Sequence, residues 1–219
     1  LNTNGGGSVS MAGLEELREA IGKFKQSGKF VVAYNEAYGQ GGYYLASVAD
    51  RIYLEPNGGL MWYGLSWNTM FYKGLLDKLG VKAEVFRPTA CKYKSAVEPF
   101  ILDRMSDANR RQMQQVVNSL WETINRSVSE SRGIAVGELN RIADALEVTL
   151  PEEALHRGFV DSLVYEDYMQ EVFASYGVEP GSRGEYEFVT LGDYATQLRA
   201  DLKNVSSSQV AIVYADGAI

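Results

Sequence analysis

One cysteine, one histidine and five prolines are all that the 219 residues contain of those types. The lone Cys91 excludes an internal disulfide and a cysteine-rich zinc site. The lone His156 excludes a multi-histidine metal centre and makes any histidine-based relay depend on one residue. A cysteine-poor chain folds in reducing or oxidising surroundings alike, so the redox compartment stays open. Positive charge is short as well. Lys and Arg number 21 against 28 Asp and Glu, a net charge of −7 that offers no broad cationic field to a phosphate backbone and counts against nucleic acid as a partner. No run of residues approaches the roughly 20 apolar positions needed to cross a bilayer. What is present, 46% hydrophobic and 22% charged residues, is the balance of a globular domain.

The two ends read as loop and linker. Leu1 is followed by Asn2-Thr3-Asn4-Gly5-Gly6-Gly7, and Asn204-Val205-Ser206-Ser207-Ser208 precedes the apolar Gln209-Val210-Ala211-Ile212-Val213-Tyr214, which has the pattern of a buried strand. We therefore expect a piece of a longer polypeptide. Residues 1–203 form a first domain in this reading, and 204–219 form a linker and the opening strand of a second. Between the ends, short apolar segments alternate with helical patterns, the signature of a layered α/β fold with parallel strands and flanking helices. Leu14, Leu17, Ile21 and Phe24 follow helical spacing; strands are expected at 30–34, 51–54, 82–86 and 186–189, the second stopped by Pro56. Short helices are expected at 41–49 and 68–79. A long helix runs from Ser106, whose side chain can cap it, to about residue 129, and another follows Gly133. Residues 87–104 form a long irregular connection, and such loops inside compact domains are commonly functional.

That connection carries Tyr93-Lys94-Ser95-Ala96-Val97-Glu98-Pro99-Phe100. A lysine amine, ordinarily near pKa 10.4, accepts a proton at neutral pH only if burial or neighbouring cations bring it down by about three pH units. Tyr93, Ala96, Val97, Pro99 and Phe100 are apolar enough to supply burial, and Lys92 could add like charge. Glu98 acts against this, because a nearby carboxylate holds an ammonium protonated; a basic Lys94 requires Glu98 to face elsewhere, toward Arg87 or Arg104.

The segment resembles the bacterial signal peptide peptidases of the protease IV type, serine proteases with a Ser/Lys dyad on a crotonase-like, Clp protease-like fold. Tyr38-Gly39-Gln40-Gly41-Gly42-Tyr43-Tyr44-Leu45-Ala46-Ser47 is similar to the family's strand-to-helix turn, and Ala154-Leu155-His156-Arg157-Gly158-Phe159-Val160-Asp161 to the segment that closes each of its domains. The resemblance implies that Lys94 is the general base, with Tyr93, Ser95 and Glu98 orienting it. It also implies a nucleophilic serine in a second domain, no cofactor and no metal, apolar signal peptides as substrate, and assembly into a homotetramer. The expected location is the extracytoplasmic face of a bacterial membrane, held there only by an anchor upstream of Leu1. In the corresponding turn of this domain Gln40 stands where the repeat's serine would be, and an amide is no nucleophile. Ser47 falls on the following helix, and Ser95 points away from the side of its neighbour Lys94. The fragment alone is therefore expected to be inactive.

Other readings remain open on the residues. A crotonase-like acyl-CoA enzyme would need a carboxylate base beside a CoA groove, and a non-catalytic scaffold domain of a membrane-associated assembly would need no base at all. Gly5-Gly6-Gly7-Ser8 could present amides to an anion but lacks the Lys-Ser/Thr of a phosphate loop. Cys91 and His156 could in principle pair. Trp62, Tyr63, Trp67, Phe71 and Tyr72 fit a groove, a subunit contact or a core equally. Asn125-Arg126-Ser127 and Asn204-Val205-Ser206 match the glycosylation triplet by chance frequency.

Overall fold

The computed structural model describes residues 1–3, 9–88, 90–182, 186 and 188–202. The chain divides into two compact units, Leu1–Tyr168 and the part from Met169 onward. In the first, helix α1 (Met11–Gln26) opens on Ser10, whose hydroxyl accepts the Gly13 N–H at 3.2 Å, and ends with Lys23 and Lys25 in its last turn, where cations suit the helix dipole. Strand β1 (Val32–Tyr38), helix α2 (Gln40–Ala46) and strand β2 (Arg51–Leu60) form a parallel crossover. The two-residue β3 (Ser162–Leu163) pairs in parallel with β2, giving the order β1-β2-β3. The Leu1 N–H and C=O bond to Val32 O and Tyr34 N, so the first residue lies along β1.

The β1–β2 register holds from Val32↔Arg51 to Asn35↔Leu54 and then jumps to Ala37↔Gly59. Gly58 sits at this irregularity because a Cβ there would stand 1.7 Å from the Glu36 carbonyl oxygen. Pro56 falls in the same unpaired stretch, where its missing N–H costs no ladder bond, and the strand therefore runs through to Leu60 instead of stopping.

Behind the sheet lies an aromatic core. Tyr43, Trp62 and Phe159 are fully buried and in mutual ring contact, with Trp121 4.9 Å from Trp62. Both buried polar tips are satisfied: the Tyr43 hydroxyl donates to Phe159 O at 2.7 Å and the Trp62 indole N–H to Leu139 O at 3.0 Å. Helix α3 (Lys73–Lys78) and the single turn α4 (Glu98–Ile101) precede the long α5 (Asp107–Arg132), which Ser106 caps by accepting the Asn109 N–H, and which Gly133 ends at φ 71°. Its last residue, Arg132, reaches both Asp161 carboxylate oxygens at 3.1 Å, and Asp161 also accepts the Ile52 N–H, so the helix end is fastened to the sheet. Arg18 of α1 donates to Tyr44 O and Ser47 Oγ on one side and to Ser127 O and Ser131 Oγ on the other, joining three helices. Helices α6 (Val136–Ala145) and α7 (Pro151–His156) are linked by a ring of Glu138, Arg141, Glu147 and Arg157. In the second unit, α8 (Met169–Ser175) carries Phe173 in edge contact with Tyr186 and Phe188, and α9 (Leu191–Leu202) follows.

The fold is the α/β arrangement with parallel strands and flanking helices that the alternation predicts, but several elements differ. The expected strand at 82–86 does not form, and Phe86 is 95% exposed: alternation alone makes no strand without a neighbour to complete its hydrogen bonds. The helix expected at 68–79 shrinks to α3. The described residues of the expected strand 186–189 are irregular, with Phe188 and Val189 exposed. Gly5–Ser8, the domain boundary at 203–204, the strand at 209–214 and the triplet at Asn204 lie outside the described residues. Among those that are described, no helix is long and apolar enough to cross a membrane.

Candidate functional site

Lys94 sits in the irregular connection between two tight turns: its N–H donates to Cys91 O at 3.1 Å, and the Glu98 N–H donates to Ser95 O at 3.0 Å. Its own carbonyl accepts from Arg87 Nη1 at 2.9 Å. The side chain is exposed, and among the described residues no carboxylate lies within ion-pair reach of it. The apolar wrapping expected from its neighbours is not supplied by the described residues. Tyr93 is 51% exposed beneath the Lys92 ammonium, 5.3 Å from its ring centroid, and Phe100 is 47% exposed and stacked on Tyr72 at 5.9 Å. Each ring has a different partner, so neither covers the lysine.

Glu98 does face elsewhere, though not toward Arg104. It is 2% exposed, its Oε1 accepting the Ser106 hydroxyl at 2.6 Å and its Oε2 accepting the Ser106 N–H at 3.1 Å and the Asn109 amide at 2.9 Å. Burial pushes this carboxyl up, but those three donors, with the nearby Arg87 charge, outweigh it and hold Glu98 below the ordinary carboxylate range. The carboxylate that threatened to pin Lys94 as an ammonium is thus committed to the N-terminus of α5. Asn109 escaped the sequence reading although it stands three residues after the cap, the spacing at which a capped helix presents a side chain back toward its start. An open groove of about 720 Å³ beside this cap is lined by Lys73 and residues 101–107; charged groups stud its walls, so it is not an apolar cradle.

At the other candidate turn, Gln40 is the first residue of α2, and its amide is engaged at both its oxygen and its nitrogen. Oε1 accepts the N–H groups of both Tyr63 and Gly64 at 2.7 Å, and Nε2 donates to Gly64 O at 2.7 Å. The position expected for a nucleophile is therefore a clasp on the segment that leaves β2. The loop it holds is distant in sequence and no local pattern announces it. Ser47 is 1% exposed, donating to Tyr44 O and accepting from Arg18, a structural hydroxyl rather than a nucleophile. Ser95 follows Lys94 in the turn, half-buried. His156 is exposed at the end of α7, and no hydrogen bond joins it to Cys91 among the described residues. The aromatic segment divides: Trp62 is core, whereas Tyr63, Trp67 and Tyr72 are exposed and Phe71 is half-buried. Asn125 of the first glycosylation triplet is buried, with its amide donating to Trp121 O, so it is no surface acceptor. Among the described residues no three His, Cys, Asp or Glu side chains gather as a metal site.

A family model described as Peptidase family S49 matches residues 23–177. The chain is 36% identical over 220 residues to Protease 4 of Haemophilus influenzae, an alignment covering 96% of this chain and 35% of the relative. It is 35% identical over 208 residues to Protease 4 of Salmonella typhi, covering 92% of the chain and 33% of that protein. Over 120 residues it is 30% identical to the chloroplastic serine protease SPPA of Arabidopsis thaliana, 55% of this chain and 17% of the relative. The chain spans about a third of the length of the two Protease 4 relatives it matches.

Proposed function

The chain belongs to peptidase family S49, and from that premise we propose that it supplies the general base, Lys94, of a serine peptidase whose nucleophile lies on a further domain of the same polypeptide. The observation that carries this reading is the division of labour between neighbours: Glu98 is buried and saturated by Ser106 and Asn109, while Lys94 is displayed on the surface free of any carboxylate among the described residues. An exposed lysine is no base by itself. The reading therefore places the serine-bearing domain over Lys94, so that docking removes the amine from water and favours its neutral form.

In that arrangement the Lys94 Nζ lone pair takes the serine hydroxyl proton as Oγ attacks the peptide carbonyl. The resulting ammonium gives that proton to the leaving amine of the peptide; the Lys94 amine, neutral again, then takes a proton from the water that attacks the acyl-serine and passes it to the departing Oγ, restoring both serine and lysine. Tyr93 and Ser95 flank the base. The substrates in this reading are cleaved signal peptides, and the assembly is a homotetramer at the extracytoplasmic face of a bacterial membrane. Gln40, locked in its clasp, contributes no chemistry. In the full-length protein, Lys94→Ala abolishes peptide hydrolysis and fluorophosphonate labelling of the serine while leaving far-ultraviolet circular dichroism unchanged; an enzyme that keeps most of its turnover without this amine rejects the assignment. A scaffold domain, the reading that Gln40 at the nucleophile position favours, predicts that fluorophosphonate labels neither this chain nor the full-length protein.

A further inference from the structure

Resting on the reading of Lys94 as the base, we propose that Glu98 and Arg87 are positioning residues that hold the Lys94 turn from both sides, Glu98 by fastening it to the N-terminus of α5 and Arg87 by gripping the Lys94 carbonyl. The described residues of 81–97 form no regular secondary structure, so neither a helix nor a sheet ladder among them sets the place of Lys94. A lysine side chain also carries about 2 kcal/mol of rotamer entropy. Misplacing a reacting group by about 1 Å can cost roughly 100-fold in rate. A base on such a segment needs anchors, and the described residues supply two.

The first is the Arg87 guanidinium, which donates to Lys94 O at 2.9 Å and ties together two positions seven apart in the chain. The second is Glu98, joined to Lys94 through the turn in which its own N–H bonds to Ser95 O. Capping does not explain Glu98. Ser106 already accepts the Asn109 N–H at 3.2 Å, the ordinary side-chain cap, without needing a carboxylate beneath it. Burying a charge costs several kcal/mol unless donors compensate, and Glu98 is compensated by three, every one of them from the first turn of the 26-residue helix or its cap. The arrangement transfers the rigidity of α5 to a surface loop four residues from the base. With both oxygens committed, Glu98 is also withheld from Lys94 as a counter-ion, which the neutral amine requires.

The test compares kcat, KM and the pH profile of peptide hydrolysis in the full-length protein for wild type, Lys94→Ala, Glu98→Ala, Glu98→Gln and Arg87→Ala. Gln at 98 can keep the fastening: with its oxygen in the Oε2 place it accepts the Ser106 N–H and the Asn109 amide, and its own N–H donates to the Ser106 hydroxyl oxygen. We expect Glu98→Ala to lower kcat about 10- to 100-fold with KM unchanged and to move the pH profile, Glu98→Gln to keep most of the wild-type kcat, and the exposed Arg87→Ala to lower kcat several-fold without loss of thermal stability. Wild-type kcat in Glu98→Ala, or a loss that only tracks the unfolded fraction with the pH profile intact, overturns the inference, as does a Glu98→Gln as impaired as Glu98→Ala. The premise fails separately: if Lys94→Ala retains activity the base assignment falls, whereas an inactive Lys94→Ala beside a normal Glu98→Ala removes the positioning role alone.

Discussion

Replacing Gln40 by Ala removes an amide that makes three hydrogen bonds of 2.7 Å to Tyr63 and Gly64, and with it the clasp that draws the start of the 61–72 segment onto the first turn of α2. Each such bond contributes about 0.5–1.5 kcal/mol net. Tyr63 is exposed and Gly64 half-buried, so water can re-solvate both N–H groups once the amide is gone, and the lower part of that range applies. Three bonds at that level sum to about 2 kcal/mol, which for a chain of this size lowers Tm by roughly 4–8 °C. Gln40→Met separates hydrogen bonding from packing: it keeps side-chain length and volume but neither accepts nor donates in the same way, and the same loss is expected. Differential scanning calorimetry measures the shift. Limited chymotrypsin digestion reports the consequence, faster cleavage at Tyr63 and Trp67 as the segment loosens. Tm values within about 1 °C of wild type for both variants, with unchanged digestion, would refute the view that the clasp is a stabilising element.

Two further outcomes follow from the fold. Gly58→Ala places a Cβ 1.7 Å from the Glu36 carbonyl oxygen and 3.1 Å from that of Glu55, so backbone must shift; an overpacking cost of about 1–3 kcal/mol is expected, read as a reduced urea midpoint, and an unaltered midpoint contradicts the close approach. Hydrogen bonds from Arg141, reinforced by the charge of Arg157, hold Glu138 and Glu147 below the ordinary carboxylate range. A depressed carboxyl stabilises the fold above the unfolded value near pH 4.3 and loses that contribution as pH falls through the folded value. Glu147→Gln is therefore less stable than wild type at pH 7, with the gap narrowing as pH falls below about 4.3 and gone once the folded carboxyl is protonated; a gap that stays constant down the acid range disproves the ionic contribution.

The alternation of elements, α1 from its Leu14, Leu17, Ile21 and Phe24 spacing, α5 with its Ser106 cap, and the largely irregular 87–104 connection, interrupted by the single turn α4, were legible in the residues, because each depends on contacts within a few positions. So was the lysine segment itself, together with the requirement that Glu98 look away from Lys94. What tertiary structure decided were the outcomes that hang on distant partners. The 82–86 alternation found no neighbouring strand, Pro56 was absorbed into a register jump set by β1, and the aromatic 62–72 stretch was split between core and surface by Phe159 and Trp121, which lie far along the chain. The commitment of Gln40 to Gly64 and of Glu98 to Ser106 and Asn109 was settled in the same way. Local pattern determines which backbone conformations are favourable; which side chain satisfies a buried donor or acceptor is determined only when the fold brings candidates from separate segments within about 3 Å.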